Sequence, residues 1–278
     1  MSSSICSVYY NANATTIEEA SDTMGEIIMQ TKQLGKEYGL TQSKRVTALK
    51  NVDIELERGR IYGLVGNNGS GKTTLMRIIS GLVRATSGEI SLFGSENAKE
   101  LQQERRRVGM LVESPAYYSE LSIMQNLKAQ SRLYSKSERF DLDELCALVG
   151  IDNSFSRRSI RKCSLGQQQR YGIASALLGK PELLILDEPL NGLDPEGVNE
   201  LRELLIKINR EQGVTMLISS HILAELHKTA TDYIFFRRGE VQECISAEEL
   251  DERITENELK DVEEYFLMLN RRDSRWQS

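Results

Sequence analysis

The sequence predicts an α/β fold with a parallel-sheet core, an antiparallel β portion and an inserted helical subdomain. Three observations point there. The runs "IYGLV" (61–65), "ELLILD" (182–187) and "VTMLIS" (214–219) are short and apolar on both faces, as strands buried in a parallel sheet are. Helical patterns lie between these runs. Residues from about 100 to 160 are charged, helix-forming and poor in strand pattern, which reads as a helical insertion into the α/β core.

In chain order, residues 1–23 are rich in Ser, Asn, Thr and Ala and lack an apolar period, so a mobile tail is expected. "EIIMQTKQL" follows Met24 and reads as a strand, so the ordered domain is expected to begin there. Val52, Ile54 and Leu56 alternate with charged residues as in a half-buried strand. Val198, Leu201, Leu205 and Ile208 share one face of a helix starting near Pro195. "YIFFRRGEVQECI" reads as a hairpin turning at Arg238-Gly239. Leu259, Val262, Phe266 and Leu269 mark a closing amphipathic helix. The expected organisation is therefore a tail over 1–23, a domain over 24–245 with its helical subdomain at about 100–165, and a C-terminal helical extension over 246–278.

Composition narrows the function classes. With 278 residues, 40% of them hydrophobic and 27% charged, the chain has the make-up of a soluble globular protein large enough for a real core. No run approaches the 18 uncharged apolar residues of a membrane span, and the N-terminus lacks a signal-peptide pattern. Cys6, Cys146, Cys163 and Cys244 are scattered without metal-ligand spacing, which suits a reduced cytosolic chain. A net charge of -6 argues against general nucleic-acid binding, which depends on neutralising phosphates.

The most specific local signal is "GLVGNNGSGKTTL". Gly66, Asn67, Asn68, Gly69, Ser70, Gly71, Lys72 and Thr73 fit G-x-x-x-x-G-K-[ST] at every fixed position. Glycines let successive backbone N–H groups curl around a polyphosphate, and the helix that follows points its positive dipole end at the same anion. Lys72 is expected to meet the β- and γ-phosphates, the Thr73 hydroxyl to ligate Mg²⁺, and Thr74 to contact the α-phosphate. This is a P-loop NTPase signature. Kinases, GTPases and transport ATPases all carry it, although the guanine-reading N-K-x-D is not found.

"LLILDEP" ends a buried strand in Asp187 and Glu188, where carboxylates flank the phosphate loop in such sheets. Asp187 is expected to hold Mg²⁺ through water, and Glu188 to polarise the attacking water as general base. Upstream, Ser164, Leu165, Gly166 and Gln167 form "SLGQ", followed by "QQR" and an Ala/Leu-rich helix. This stretch resembles the signature motif of ATP-binding-cassette (ABC) ATPases. The rest of the pattern follows in order: "NGLDP" resembles the D-loop with Asp194, "LISSH" ends in a switch-type His221, and Tyr38 resembles the aromatic that stacks on adenine. The resemblance covers roughly residues 26–245.

This resemblance implies an ABC cassette that binds ATP and Mg²⁺ between two head-to-tail subunits, a homodimer in the simplest case. Lys72 of one subunit and Ser164 of the other would grip one γ-phosphate, and hydrolysis would release the pair. It also implies a separate transmembrane permease, with the ATPase on the cytoplasmic face of the membrane and touching the membrane only through that partner. Each single residue also has a bland reading. His221 could be a structural histidine, Tyr38 a strand-end aromatic, and Asp194 only the cap of the helix at Pro195. The run Arg157, Arg158, Arg161 and Lys162 reads as a solvated face, and His227 as a solvated residue in a polar helical stretch.

Two positions depart from the family pattern. Leu165 stands where glycine is usual, and Glu113, in "VGMLVESPAYY", stands where a Mg²⁺-ligating glutamine is usual. Glu113 can ligate the metal with more charge, or can be a surface acid in a loop. "ESPAYY" resembles the ATPase subunits of bacterial lantibiotic and bacitracin-type exporters, complexes that expel antimicrobial peptides or protect their producers. Pro115, Ala116, Tyr117 and Tyr118 then become candidates to receive a permease helix, or else pack within the helical subdomain. Other readings remain. DNA-repair or chromosome-organising cassettes need long coiled coils, whereas only about 90 residues separate loop and signature here. A P-loop kinase would leave Ser164–Gln167 and His221 unexplained.

Overall fold

The computed structural model describes residues 25–39, 45–134 and 141–272. The expected tail over 1–23, the start at Met24 and Cys6 lie outside them. A six-stranded sheet forms the centre, in the order β5 (Val108–Leu111), β6 (Leu183–Asp187), β7 (Thr215–Ser219), β3 (Ile61–Val65), β8 (Asp232–Arg237), β9 (Glu240–Ser246). Its first five strands run parallel, and β9 closes the edge antiparallel to β8. A second sheet, in the order β2 (Val46–Glu57), β1 (Ile27–Tyr38), β4 (Ser87–Leu92), is antiparallel throughout.

Strand alternation divides the interior into two cores. Leu183 and Ile185 of β6, Leu217 of β7, and Ile234 and Phe236 of β8 face one side. There they meet Val52, Ile54 and Leu56 of β2 and the apolar face of α1 (Lys72–Ile79). Leu184, Leu186, Met216, Ile218, Tyr233 and Phe235 point to the other side, against the remaining helices. A strand apolar on both faces is what two cores demand, and this explains the unbroken apolar runs.

Helix α2 (Ala98–Glu104) leads into β5. The segment expected to be helical therefore contains one strand of the main sheet, paired in parallel with β6 from Val108↔Leu183 to Leu111↔Leu186. Helices α3 (Ile123–Ser131), α4 (Leu142–Leu148) and α5 (Asn153–Ser156) follow, and then α6 (Leu165–Leu177). Ile123, Leu127, Leu145, Val149 and Ile160 pack with Tyr171 and Ile173 of α6 in the second core. Ser122 and Gln125 close a capping box at the start of α3.

The long helix α7 (Pro195–Gln212) starts where expected, capped by the Asp194 side chain on the Gly197 N–H at 2.9 Å. Helices α8 (Leu223–His227), α9 (Ala247–Glu256) and α10 (Val262–Arg272) complete the chain. The β8–β9 hairpin turns at Arg238 and Gly239 as expected. His227 corrects the sequence reading, because it is not a freely solvated residue. It closes α8 with Nδ1 2.8 Å from the Tyr233 hydroxyl and Nε2 3.1 Å from Asp251, joining α8, β8 and α9. Burial pushes the Tyr233 hydroxyl well above the usual phenol range. Cys146, Cys163 and Cys244 are free thiols. Among the described residues, no helix is long and apolar enough to cross a membrane.

Phe235 is 1% exposed and packs its ring against Tyr233, Tyr265 and Phe266, tying the central sheet to α10. Phe235→Ala should therefore lower the free energy of unfolding by about 3–5 kcal/mol, measured by urea denaturation.

Candidate functional site

The loop from Gly66 to Gly71 connects β3 to α1 at the carboxyl end of the parallel strands, the usual position of ligand sites in such sheets. Gly71 caps α1 with φ 112°, and a Cβ there would lie 2.6 Å from the Ala48 carbonyl oxygen. That combination of left-handed backbone and close approach admits only glycine. The β8–β9 hairpin holds the loop from outside: the Gly239 N–H donates to the Ser70 carbonyl at 2.7 Å, and the Lys50 N–H to the Gly239 carbonyl at 2.7 Å.

Beside the loop opens a cleft of about 430 Å³, lined by Val46, Thr47, Ala48, Asn68–Thr74, Glu113, Asp187, Glu188 and Asn191. Within it the Thr73 hydroxyl donates to Asp187 Oδ2 at 2.7 Å. Lys72 is buried and donates through Nζ to the carbonyls of Gly66 (2.7 Å) and Asn67 (3.3 Å). Burial pushes the Lys72 ammonium below its ordinary pKa, while the nearby Glu188 and Asp187 carboxylates pull it back up. A polyanion in the cleft would add to that upward pull.

Asp187 and Glu188 form a tight corner at the end of β6. Register places Asp187 opposite Ser219 of β7, and the Ser219 hydroxyl donates to Asp187 Oδ1 at 2.5 Å. The same hydroxyl accepts from the Glu188 N–H at 2.9 Å. Glu188 has φ 52°, a left-handed backbone uncommon for this residue type. Its Oε2 lies 2.6 Å from His221 Nδ1 and accepts from the His221 N–H at 3.2 Å. The expected general base Glu188, which lines the cleft, and the switch-type His221 therefore touch each other.

Glu113 lies in the same cleft, with φ 69°, and forms an ion pair with Arg77 of α1. Tyr38 ends β1, half-exposed, with Lys36 Nζ 4.9 Å above its ring. It pairs across the sheet with Val46, a cleft residue, without lining the cleft itself. Sequence reasoning did not single out Ser219, Arg77 or Asn191. The "LISSH" run held the clue to Ser219, a polar residue at the end of a buried strand.

Ser164, Leu165, Gly166 and Gln167 stand elsewhere. They line a separate cleft of about 770 Å³, together with Gly192, Leu193, Asp194 and Glu200. Ser164 caps α6 by accepting from the Gln167 N–H at 3.3 Å, with Gln167 Oε1 accepting from the Ser164 N–H at 3.1 Å. Leu165, where glycine is usual, leans on Gly192, and a Cβ at Gly192 would meet its Cδ2 at 2.7 Å. Among the described residues, the loop and the signature line these two different clefts. The Pro115–Tyr118 segment packs in part: the Tyr171 hydroxyl donates to the Ala116 carbonyl at 3.0 Å, and Tyr117 meets Tyr171 edge-on. Tyr118 is 68% exposed.

Magnesium suits the donors in the first cleft. They are hard oxygens, the Thr73 hydroxyl and Asp187 carboxylate among them. Among the described residues no cluster of three or more His, Cys, Asp or Glu forms a cage of its own.

The ABC transporter family model matches residues 49–191. The bacitracin transport ATP-binding protein BcrA of Bacillus licheniformis is 38% identical over 226 residues, which cover 81% of this chain and 72% of that one. The lantibiotic transport ATP-binding protein SrtF of Streptococcus pyogenes is 40% identical over 228 residues, 81% of this chain and 95% of that one. A bacterial ABC transporter cassette solved in dimeric form superposes with a TM-score of 0.71 at 26% identity, covering 79% of this chain and 98% of its own. The chain belongs to the ABC transporter family, as one of its ATP-binding, ATP-hydrolysing subunits.

Proposed function

We propose that this subunit binds MgATP in a head-to-tail homodimer and hydrolyses it to drive a separate membrane permease that exports an antimicrobial peptide. The observation that carries the hydrolytic part is the Glu188–His221 contact at the rim of the phosphate-loop cleft. Lys72 and the loop N–H groups hold the β- and γ-phosphates, and Thr74 the α-phosphate. Tyr38 stacks on adenine from the strand edge beside Val46. Thr73, Asp187 and Glu113 are the residues that would hold Mg²⁺, which when bound would neutralise phosphate charge.

Glu188 acts as general base. The Ser219 hydroxyl holds its backbone N–H and His221 holds its carboxylate at the end of β6, where it takes a proton from water attacking the γ-phosphorus as the bond to the leaving ADP breaks. His221 orients that carboxylate and meets the γ-phosphate. Ser164 and Gly166 of the partner subunit supply a helix N-terminus to the same phosphate. The separation of the two clefts within one chain supports this reading, because a complete site then needs two copies. Loss of the γ-phosphate removes the link and lets the pair open.

Export of a bacitracin- or lantibiotic-like peptide is supported by the relatives' names and by Glu113 in its "ESPAYY" context. The exposed Tyr118 and the adjoining segment offer a surface for a permease helix.

Glu188→Gln should bind ATP, lose at least about 100-fold in phosphate release and accumulate as an ATP-dependent dimer on size-exclusion chromatography. Parental turnover would remove Glu188 as the base. Lys72→Ala should abolish ATP affinity in a fluorescent-nucleotide titration, and unchanged binding would overturn the loop assignment. Cells expressing the subunit with its permease should tolerate more bacitracin or lantibiotic than cells carrying Glu188→Gln. Equal susceptibility would sink the peptide-export reading while leaving the ATPase intact.

A further inference from the structure

The nucleotide cleft has an awkward charge balance. Three carboxylates (Glu113, Asp187 and Glu188) and one ammonium (Lys72) line a pocket that must accept a polyphosphate. Asp187 is tied down by Thr73 and Ser219, and Glu188 by His221. Glu113 is the acid that replaces a neutral glutamine. Left free, it would repel any phosphate that arrives without a metal.

Arg77 answers that charge. It lies four residues after Thr73, on the same face of α1, and forms an ion pair with Glu113. Glu113 sits two residues beyond β5 with a left-handed backbone, φ 69°, so the loop presents its side chain toward α1 at a conformational cost. The pair is partly exposed, with the side chains 33% and 61% accessible. Ion pairs of this kind add little to folding, so its position at the cleft matters more than its strength.

We infer that Arg77 is a positioning residue: it holds and neutralises the Glu113 carboxylate at the cleft and releases it to the metal when MgATP binds. The inference rests on the nucleotide-site reading above and adds a second state to it. In the resting state Glu113 is neutralised by Arg77. In the loaded state Glu113 leaves Arg77 and would, with Thr73 and Asp187, be one of the residues that hold the divalent cation.

The experiment is a double-mutant cycle read by nucleotide binding. ATP affinity is measured by competition with a fluorescent ATP analogue, once in EDTA and once in excess Mg²⁺. The set comprises the parent, Arg77→Gln, Arg77→Lys, Glu113→Gln and the Arg77→Gln/Glu113→Gln pair, each checked for folding by thermal melting. Arg77→Gln should weaken metal-free ATP binding roughly tenfold, the size expected of one uncompensated charge near a polyphosphate, and MgATP binding by about twofold at most. Arg77→Lys should restore the metal-free affinity, because it keeps the charge. In the Glu113→Gln background, loss of Arg77 should have no effect in EDTA.

An equal loss with and without Mg²⁺, or the same loss when Glu113 is already neutral, would overturn the inference and leave Arg77 as a general cation or a structural residue. Failure of Arg77→Lys to restore metal-free binding would also count against it. A folded parent that binds no ATP even in Mg²⁺ would instead sink the nucleotide-site assignment, so the two failures are distinguishable.

Discussion

One buried hydroxyl fixes the reactive corner. Ser219 is fully buried at the end of β7, directly opposite Asp187 in the parallel register. Its hydrogen goes to Asp187 and its lone pair to the Glu188 N–H. The Asp187 carboxylate and the Glu188 backbone are therefore set by the pairing of two neighbouring strands, and Leu64 of β3 extends that alignment to the start of the phosphate loop. A one-residue slip would turn every side chain of β6 to the wrong core and pull the corner apart. The chemistry depends on sheet register first and on loop conformation second.

Around that corner the polar groups satisfy one another. Lys72 rests on loop carbonyls, Thr73 on Asp187, Glu188 on His221 and Glu113 on Arg77. A nucleotide bound here, as proposed, would exchange with these partners, and its affinity would reflect the difference between two sets of contacts. The lysine illustrates this. Desolvation already disfavours its charged form, so a phosphate that arrives beside it relieves a penalty and adds an attraction. The glycine-rich backbone around it stays in place because the β8–β9 turn grips it from outside through Gly239.

Much of this was legible in the residues. The apolar runs, the phosphate loop, the Asp194 cap and the hairpin at Arg238-Gly239 each carry a local signal, either a period or a turn chemistry. β5 carried none. Its four residues sit between Arg105, Arg106 and Arg107 and a loop opening at Glu113, inside a stretch that is otherwise charged and helix-forming, and its pairing with β6 defines the strand. His227 looked solvated because its partners, Tyr233 and Asp251, come from two other elements. Arg77 meets Glu113 across 36 positions of sequence, and no local pattern announces such a pair. The separation of the signature from the phosphate loop is likewise a property of the folded chain.

The closing helix α10 lies nearer the centre of action than its place at the end of the chain suggests. Phe266 and Leu267 border a hollow with Asn67, Asn68 and His221, and Leu267 and Asn270 border another with Ser70 and Arg238. The strand β1, by contrast, begins at Ile27, the end away from Tyr38 and the cleft edge. A purification handle or fluorescent label attached directly after the last helix would thus leave from the end that borders Ser70 and the phosphate loop. The same appendage attached directly before Ile27 would join β1 at the end opposite Tyr38 and the cleft edge.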